Sequence, residues 1–363
     1  MLKVKYYIEF QRIIRGDFSN PFSYYLINVS SDFKIEFMKA IVCNQFGLPD
    51  TLEYLDITAP EPEEGEILIS VKACSVNFPD TLIIQGKYQF KPEFPFSPGS
   101  DVAGIVENVG KNVTHLKAGD EVVGFIPFGG FAEKAIVKAK DCFPKPKGMP
   151  MVNAAAFLLA YGTSYHALKD RANLQKGETV LILGASGGVG LTALELAKLM
   201  GAKVIAAAST EEKLELCKQF GADEVINYTK ESLKDKVKEI TNGKGVDVIY
   251  DPVGGHFSEL ALRAIAWKGR HLVIGFANGE IPKIPINLTL LKGASIVGVF
   301  WGAFAQKQPK ESLDNIKQLL TWFAKGELKP HIDKTYALEN APKALEDMME
   351  RKTKGKIVID MEL

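Results

Sequence analysis

The chain contains the stretch Thr179-Val-Leu-Ile-Leu-Gly-Ala-Ser-Gly-Gly-Val-Gly190, and Leu-Thr-Ala-Leu-Glu-Leu-Ala-Lys-Leu-Met follows it. This pattern predicts a buried strand, a glycine-rich turn and the start of a helix. Glycine lets the backbone approach a pyrophosphate group, and the helix N-terminus offers free N–H donors at its positive end. Read from Ala185 as A-x-G-x-x-G, with Gly187 and Gly190 in register, the stretch is a variant of the dinucleotide fingerprint. A glycine-rich turn that serves only tight packing is the alternative.

The same alternation of apolar runs and amphipathic segments extends from about residue 155 to residue 300. The predicted strands are Thr179–Leu183, Lys203–Ala208, Val246–Tyr250, His271–Phe276 and Ser295–Phe300, and the predicted helices are Gly188–Met200, Glu211–Phe220, Ser232–Thr241 and Phe257–Trp267. Strands that alternate with helices pair in parallel through crossover connections. This region is therefore predicted to be an α/β domain with a Rossmann doubly wound parallel sheet.

The region before it is rich in short strands. We predict strands at Lys39–Asn44, Ile67–Val76, Gly104–Val109 and Ala132–Val137, separated by proline- and glycine-rich turns. Such a pattern is typical of a small barrel or sandwich.

The last part of the chain is too small for a domain of its own. It is predicted to contain a helix over Glu311–Lys325, an extended segment Tyr336–Leu338, a helix over Ala341–Arg351 and a strand Lys356–Asp360. We expect these elements to rejoin one of the two preceding regions.

Charge and composition exclude several classes of partner. The formal net charge is zero, which argues against recognition of nucleic acid or an anionic membrane by bulk charge. The chain lacks an apolar run of the roughly 18 to 20 residues that a membrane helix needs. The four cysteines are scattered, as in proteins of a reducing compartment, and we expect a cytoplasmic location.

The stretch from Met1 to Phe37 is a poor signal or transit peptide, since it mixes aromatic residues with charges of both signs. We interpret residues 1–37 as an N-terminal extension that the fold does not need. An additional strand or an oligomerisation arm is the alternative.

The end of the second predicted strand favours NADPH over NADH. NAD sites place an acid there, about 20 residues after the glycine turn, against the ribose 2′-hydroxyl. Here Ser209 and Thr210 stand at that position, and Lys213 follows one helical turn later. A hydroxyl and a cation suit a 2′-phosphate, which an acid would repel. Glu211 and Glu212 are the exception, although acids suit the first turn of a helix.

Several motifs resemble those of the zinc-independent quinone oxidoreductases, the zeta-crystallin-like group of the medium-chain dehydrogenase/reductase superfamily. They are CSVNFPDTLIIQGKY at Cys74–Tyr88, PGSDVAGIV at Pro98–Val106, the glycine-rich stretch and GADEVINY at Gly221–Tyr228. The resemblance implies a GroES-like β-rich domain beside the Rossmann domain, with the active-site cleft between them. It implies a GroES-like first part over 38–160, a Rossmann NADPH-binding domain over 161–300 and a C-terminal return over 301–363. It also implies a homodimer or homotetramer.

The resemblance further implies the site residues. Asn77 and Tyr88 would line the nicotinamide and substrate cleft, and Thr163 would contact the nicotinamide end. The turn residues Ala185, Ser186, Gly187, Gly188, Val189 and Gly190 would hold the pyrophosphate, and Ser209, Lys213 and Tyr228 would surround the adenosine phosphate. A turn-capping role for Asn77 and a core-capping role for Tyr88 remain alternatives. Lys354 and Lys356 are both candidates for a C-terminal contact with the 2′-phosphate.

The same resemblance argues against a catalytic metal. Asn77 stands at the catalytic cysteine position of the zinc alcohol dehydrogenases, and Gly99-Ser100-Asp101 stands where they have Gly-His-Glu. Zinc needs three or four converging N, S or O ligands, and no such set is apparent. We regard Ser100 and Asp101 as structural.

The expected function is metal-independent hydride transfer from NADPH to a conjugated small-molecule acceptor, with a quinone favoured. Reduction of the C=C bond of enones or enoyl thioesters is the alternative within the same class. An NADPH-binding sensor, a structural protein or an RNA-binding protein is the non-enzymatic alternative.

Overall fold

The computed structural model describes residues 36–363, so nearly all of the predicted extension 1–37 lies outside the described residues. The first region is β-rich and contains strands β1 (Phe37–Val42), β2 (Glu53–Thr58), β3 (Glu66–Val76), β4 (Asp101–Val109), β5 (Glu121–Phe125), β6 (Lys134–Lys138) and β7 (Cys142–Pro144), helix α1 (Phe78–Ile83), and single 3₁₀ turns at Pro49–Thr51 and Ala139–Asp141. Strands β7, β5, β4 and β3 lie side by side in that order, and β6 also pairs with β3.

Two helices lead into the second region, α2 (Met151–Ala155) and α3 (Leu158–Tyr165), and a single π-helical segment His166–Arg171 follows α3. The predicted boundary between residues 160 and 161 falls inside α3. Tyr161 and Phe157 are fully buried here and stack with ring centroids 4.5 Å apart, so this helix is part of a core that both regions share.

The second region is a six-stranded sheet in which every pair is parallel. Its elements are β8 (Thr179–Leu183), α4 (Gly188–Leu199), β9 (Lys203–Ala208), α5 (Glu211–Gln219), β10 (Glu224–Asn227), α6 (Leu233–Ile240), β11 (Val246–Asp251), α7 (His256–Arg263), β12 (Ile265–Val273), α8 (Asn287–Lys292) and β13 (Ser295–Gly298). The strand order is β10-β9-β8-β11-β12-β13. The Rossmann prediction is confirmed, and the order reverses between β8 and β11, where such sheets bind ligands.

The predicted helix Phe257–Trp267 is too long. Helix α7 ends at Arg263, and β12 begins at Ile265, earlier than the predicted strand His271–Phe276. The apolar residues Ile265, Ala266 and Trp267 fit helical spacing as well as a strand. Lys268 has a left-handed backbone (φ 61°), which interrupts the strand and hid its start from the pattern.

The C-terminal region contributes to both parts. Helices α9 (Trp301–Lys307) and α10 (Pro309–Ala324) pack into the core that contains α3. Strand β14 (Ile332–Tyr336) runs parallel to β15 (Lys356–Asp360), and β15 pairs antiparallel with β3. A 3₁₀ turn (Leu338–Asn340) and helix α11 (Ala341–Met349) lie between them. In residues 36–363, no helix is long and apolar enough to cross a membrane.

Candidate dinucleotide site and catalytic cleft

The glycine-rich turn connects β8 to α4 at the carboxyl edge of the parallel sheet. Gly184 has a left-handed backbone (φ 57°), and Gly187 is the N-cap of α4. A Cβ on Gly190 would lie 2.4 Å from the Gly184 carbonyl oxygen, so this position admits only glycine without a backbone shift. The turn therefore presents the free N–H groups of a 12-residue helix, as a pyrophosphate requires.

The last strand of the chain lies against this turn. The Gly355 N–H donates to the Ser186 carbonyl at 2.7 Å, and Gly187 and Gly355 form a parallel bridge. A Cβ on Gly188 would lie 2.7 Å from Cδ of Lys356. The missing side chain of Gly188 therefore leaves room for the stem of Lys356, which runs along the turn.

The ammonium group of Lys356 reaches the first region. It donates to Asn77 Oδ1 at 2.5 Å and lies 3.4 Å from the Val76 carbonyl oxygen. The Asn77 amide donates in turn to Ser75 Oγ at 2.9 Å, and both Asn77 and Lys356 are 5% exposed. Lys356 thus joins the glycine-rich turn to the predicted cleft residue Asn77.

Asn77 also begins α1, because it forms a capping box with Asp80. Asp80 Oδ2 accepts the Asn77 backbone N–H at 2.7 Å. The capping role that was an alternative for Asn77 is real, and the same residue also contacts Lys356. The Asn-x-x-Asp spacing before a proline-containing helix start was the signal that could have identified Asp80 from the sequence.

Two buried acids accompany Lys356. Asp101 accepts from the Leu159 N–H at 3.2 Å and from the Ser75 hydroxyl at 3.5 Å. One oxygen of Asp80 and one of Asp101 have no hydrogen-bond partner among the described residues. Burial raises the pKa of Asp80 to about 7, although the Asn77 N–H and the charge of Lys356 oppose the shift.

Burial also raises the pKa of Asp101 and lowers the pKa of Lys356, and the attraction between their charges opposes both shifts. Two carboxyl groups and one amine are therefore buried close to one another, and burial favours the uncharged form of each. Asp101, predicted as structural, belongs to this group.

Tyr88 and Thr163 are half-buried. Burial raises the pKa of the Tyr88 hydroxyl, and the charge of Asp80 raises it further, so the hydroxyl keeps its proton at neutral pH. Thr163 lies in α3 beside Ser164, whose hydroxyl donates to the Val189 carbonyl at 3.1 Å. Helix α3 is thereby fixed against the first turn of α4.

The residues that were predicted to surround the adenosine phosphate, here called the adenosine end, lie at the carboxyl end of β9. Thr210 caps α5 by accepting the Lys213 N–H at 3.3 Å, and the Tyr228 N–H donates to the Ala208 carbonyl at 3.2 Å. Burial raises the pKa of Tyr228, whereas a hydrogen bond with Ser209 and the charge of Arg351 lower it. Ser209, Lys213 and Tyr228, predicted as one group, lie together in the structure.

Arg351 is a residue of this end that the sequence reasoning missed. Its guanidinium donates to Ala277 O and Asn278 Oδ1, both at 3.2 Å, and its carbonyl accepts from Lys213 Nζ at 2.8 Å. Burial lowers the pKa of Lys213, and the charge of Arg351 lowers it further. The basic run Arg351-Lys-Thr-Lys-Gly-Lys356 was the signal that could have found it.

The structure separates the two lysines between which the sequence did not decide. Lys354 forms an ion pair with Glu212 in the first turn of α5. Lys356 lies at Asn77 instead. Of the two, Lys354 is the one whose charge affects Lys213, and Lys356 is the one that contacts Asn77.

The residues at the superfamily's zinc positions do not suit zinc. Asn77 accepts from an ammonium group, which would repel a cation. In residues 36–363 no group of three or more His, Cys, Asp or Glu side chains could hold a metal ion. The donor set therefore offers no support for a metal-dependent step.

Comparisons with known proteins agree with this arrangement. Residues 63–147 match the alcohol dehydrogenase GroES-like domain, and residues 188–318 match the family described as zinc-binding dehydrogenase. A quinone oxidoreductase-like protein 2 homolog from Nematostella vectensis is 40% identical over 325 residues, which cover 89% of this chain and 88% of that protein. The quinone oxidoreductase of Rattus norvegicus is 38% identical over 326 residues, covering 89% and 97%.

Solved structures show the same similarity. The Escherichia coli quinone oxidoreductase complexed with NADPH is 31% identical, with a TM-score of 0.83 over 89% of this chain and 99% of that chain. A mycobacterial protein complexed with NADPH is also 31% identical, with a TM-score of 0.84 over 89% and 99%. The GroES-like assignment of the β-rich region is confirmed.

Proposed function

We propose that this chain transfers hydride from NADPH to a conjugated acceptor, and that the acceptor is a quinone. The chain belongs to the quinone oxidoreductases of the medium-chain dehydrogenase/reductase superfamily. The chain is an NADPH-dependent oxidoreductase. The single observation that carries the proposal is the buried contact between the C-terminal strand, the glycine-rich turn and Asn77. It brings the cofactor turn and the predicted cleft residue to one place.

The residues present fit NADPH. The turn from Ala185 to Gly190 would hold the pyrophosphate, with Gly188 open to Lys356. Ser209, Lys213, Tyr228 and Arg351 would hold the 2′-phosphate, since hydroxyls and cations suit a doubly charged group and Glu212 is held by Lys354. When bound, the reduced nicotinamide supplies the hydride, as cofactors carry the difficult chemistry.

The protein would contribute orientation and a proton. Asn77, fixed by Lys356 and Ser75, and Thr163 would position the reacting rings. Tyr88 keeps its hydroxyl proton at neutral pH and would donate it to the acceptor oxygen. Asp80 lies beside Asn77, whose backbone N–H it accepts, and burial raises its pKa to about 7.

A conjugated acceptor fits these residues better than a simple ketone. The donor set does not suit a metal that could polarise an isolated carbonyl. A quinone or an α,β-unsaturated carbonyl spreads the developing negative charge over its own atoms. Scattered, buried and unpaired cysteines agree with a reducing compartment such as the cytoplasm.

The test is anaerobic loss of NADPH absorbance with the full chain after chelator treatment. An ortho-quinone, a para-quinone and a small enone are compared, with NADH in parallel. We expect turnover of the quinones with NADPH. Turnover of the enone alone would replace the proposed acceptor with an alkene. Tight NADPH binding without turnover of any acceptor would support the sensor or binding role instead.

A second copy of the chain is the proposed partner of the sheet edge. Strand β13 is paired on one side only within the described part of the chain. Exposed apolar side chains occur on β13, on its neighbour β12 and in the segment that leads to β13, namely Ile296, Trp267, Ile281, Ile286, Leu290 and Leu291. Unpaired edges and apolar patches of this kind favour association. Light scattering should give a dimer or tetramer for the native chain and a smaller species for Ile286→Asp, whereas Leu199→Asp should keep the native mass.

A further inference from the structure

Six aromatic rings form a continuous series on the β-rich region, which we call the aromatic row. Its members, in order of contact, are Tyr88, Phe90, Phe128, Phe96, Phe94 and Phe46. Successive ring centroids are 5.4, 6.3, 5.9, 5.7 and 4.6 Å apart. The row connects a predicted cleft residue at one end with the protein surface at the other.

Most of the row is exposed although it is apolar. Phe90, Phe128, Phe94 and Phe46 are 38%, 37%, 42% and 39% exposed, and Phe96 is buried beneath them. A contiguous apolar surface of this kind on a soluble domain commonly marks a binding site. The exposed ring faces offer no hydrogen bond, so they suit a hydrocarbon ligand.

The row is held by its surroundings rather than by a ligand. The loop of Phe128 is fixed by two hydrogen bonds, Gly129 N–H to Ser97 O at 2.7 Å and Ile126 N–H to Ser100 O at 2.8 Å. Phe46 packs against Gly86, where an added Cβ would lie 3.0 Å from the ring. A preformed apolar surface binds without a large cost of ordering.

The position of Tyr88 at one end of the row indicates which ligand the row would bind. Tyr88 is half-buried and close enough to Asp80 for that carboxylate to affect its hydroxyl, and Asp80 contacts Asn77. At the outer end the Lys91 ammonium lies 5.8 Å from the centre of the Phe46 ring. A ligand that extends along the row from Tyr88 to Phe46 must be long and apolar. Because Tyr88 also lines the predicted cleft, such a ligand would be attached to the part of the acceptor that reacts there.

We propose that the aromatic row binds an apolar tail of the acceptor, so that the chain acts on conjugated acceptors that carry an alkyl or similar hydrocarbon chain. This inference rests on the proposed function and names the substrate class of that site. It assigns Phe90 and Phe128 as specificity-determining residues that lie outside the reacting groups.

The test uses para-quinones with one head and increasing tails: 2-methyl-, 2-butyl- and 2-decyl-1,4-benzoquinone. The native chain should show kcat/KM rising by about twofold for each added methylene, since full burial of a methylene corresponds to about fourfold. The Phe90→Ala/Phe128→Ala chain should lose at least half of that dependence and keep the methyl rate within about threefold. Leu313→Ala, an exposed apolar truncation on α10, is the control and should keep the native dependence.

The same dependence on tail length in the native and double-variant chains would overturn the proposal. A smaller oligomer of the double variant with unchanged tail dependence would assign the row to a second copy instead. Calorimetry with a non-reducible probe, 2-decyl-1,4-dimethoxybenzene, separates this proposal from the proposed function. If no quinone is reduced, the proposed function fails. The proposal for the aromatic row is still supported if the native chain binds the probe at least about tenfold more tightly than the double variant. It is overturned if the two chains bind the probe equally.

Discussion

Lys356 donates a hydrogen bond to Asn77, with 2.5 Å between Nζ and Oδ1, and its stem lies against Gly188 of the cofactor turn. One side chain from the last strand therefore contacts the candidate cofactor site and the candidate cleft at once. Burial lowers the pKa of Lys356, while the nearby carboxylates of Asp101 and Asp80 raise it. The contact gives a physical link through which the position of the turn affects the Asn77 amide.

Replacing Lys356 with methionine should lower kcat by about tenfold to a hundredfold, because a hydrogen bond to a charged group contributes about 1.5–3 kcal/mol. Methionine keeps most of the stem that fills the space above Gly188. Steady-state kinetics at saturating NADPH measure the effect. Lys354→Met is the matched control, since this lysine pairs with Glu212 away from Asn77, and it should leave kcat near the native value. A native kcat in Lys356→Met would remove the positioning role.

Replacing Arg351 with glutamine should weaken NADPH binding by about tenfold and leave NADH binding nearly unchanged. The charge of the guanidinium lowers the pKa of Lys213 and of Tyr228, so it lies near both, and a charged contact with a phosphate is roughly twice as strong as a neutral one. Titration of both cofactors by protein fluorescence measures the change. Lys352→Gln removes a neighbouring cation that pairs with Glu350 and serves as the control. Equal losses for NADH and NADPH would place Arg351 outside the 2′-phosphate site.

Alanine at Gly190 and at Gly188 should have different consequences. At Gly190 the Cβ would meet backbone atoms of Gly184 and Ala185 at 2.4 and 2.8 Å, so we expect a loss of about 1–3 kcal/mol in the free energy of unfolding. At Gly188 it would lie 2.7 Å from Cδ in the stem of Lys356, whereas the nearest backbone atom, the Gly355 oxygen, is 3.4 Å away. That lysine is expected to move away from Asn77, which lowers kcat with little effect on stability.

Urea unfolding and steady-state kinetics separate these two outcomes. Gly188→Ala combined with Lys356→Met should be no slower than Lys356→Met alone, because both changes remove the same contact. Additive losses in kcat would show that Gly188 acts independently of Lys356.

The sequence predicted the elements whose local pattern and environment agree. Strands Thr179–Leu183 and Lys203–Ala208 have the bounds that were predicted, since central parallel strands are apolar along their whole length. The short strand Glu224–Asn227 was missed, because four residues at the edge of a sheet carry little pattern. The sequence also did not predict which groups Lys354 and Lys356 contact. Lys354 and Lys356 are two residues apart and would share one face of a regular strand, but Gly355 between them has a left-handed backbone (φ 89°), and the two side chains reach different sites.

Replacing Asp80 with asparagine should make stability less dependent on pH. Burial raises the pKa of Asp80 to about 7 in the folded chain, whereas an unfolded aspartate has a pKa of about 3.9. Between these values the folded chain holds a proton that the unfolded chain has lost, so stability decreases as pH rises from about 4 to about 7 and then levels. The native chain should therefore lose about 2–3 kcal/mol relative to Asp80→Asn between pH 5 and pH 8. Urea unfolding at both pH values measures this difference, with Asp50→Asn, an exposed acid, as the control. A difference between native and Asp80→Asn that is the same at both pH values would show that Asp80 is ionised in the folded chain and cannot hold the proton assigned to it.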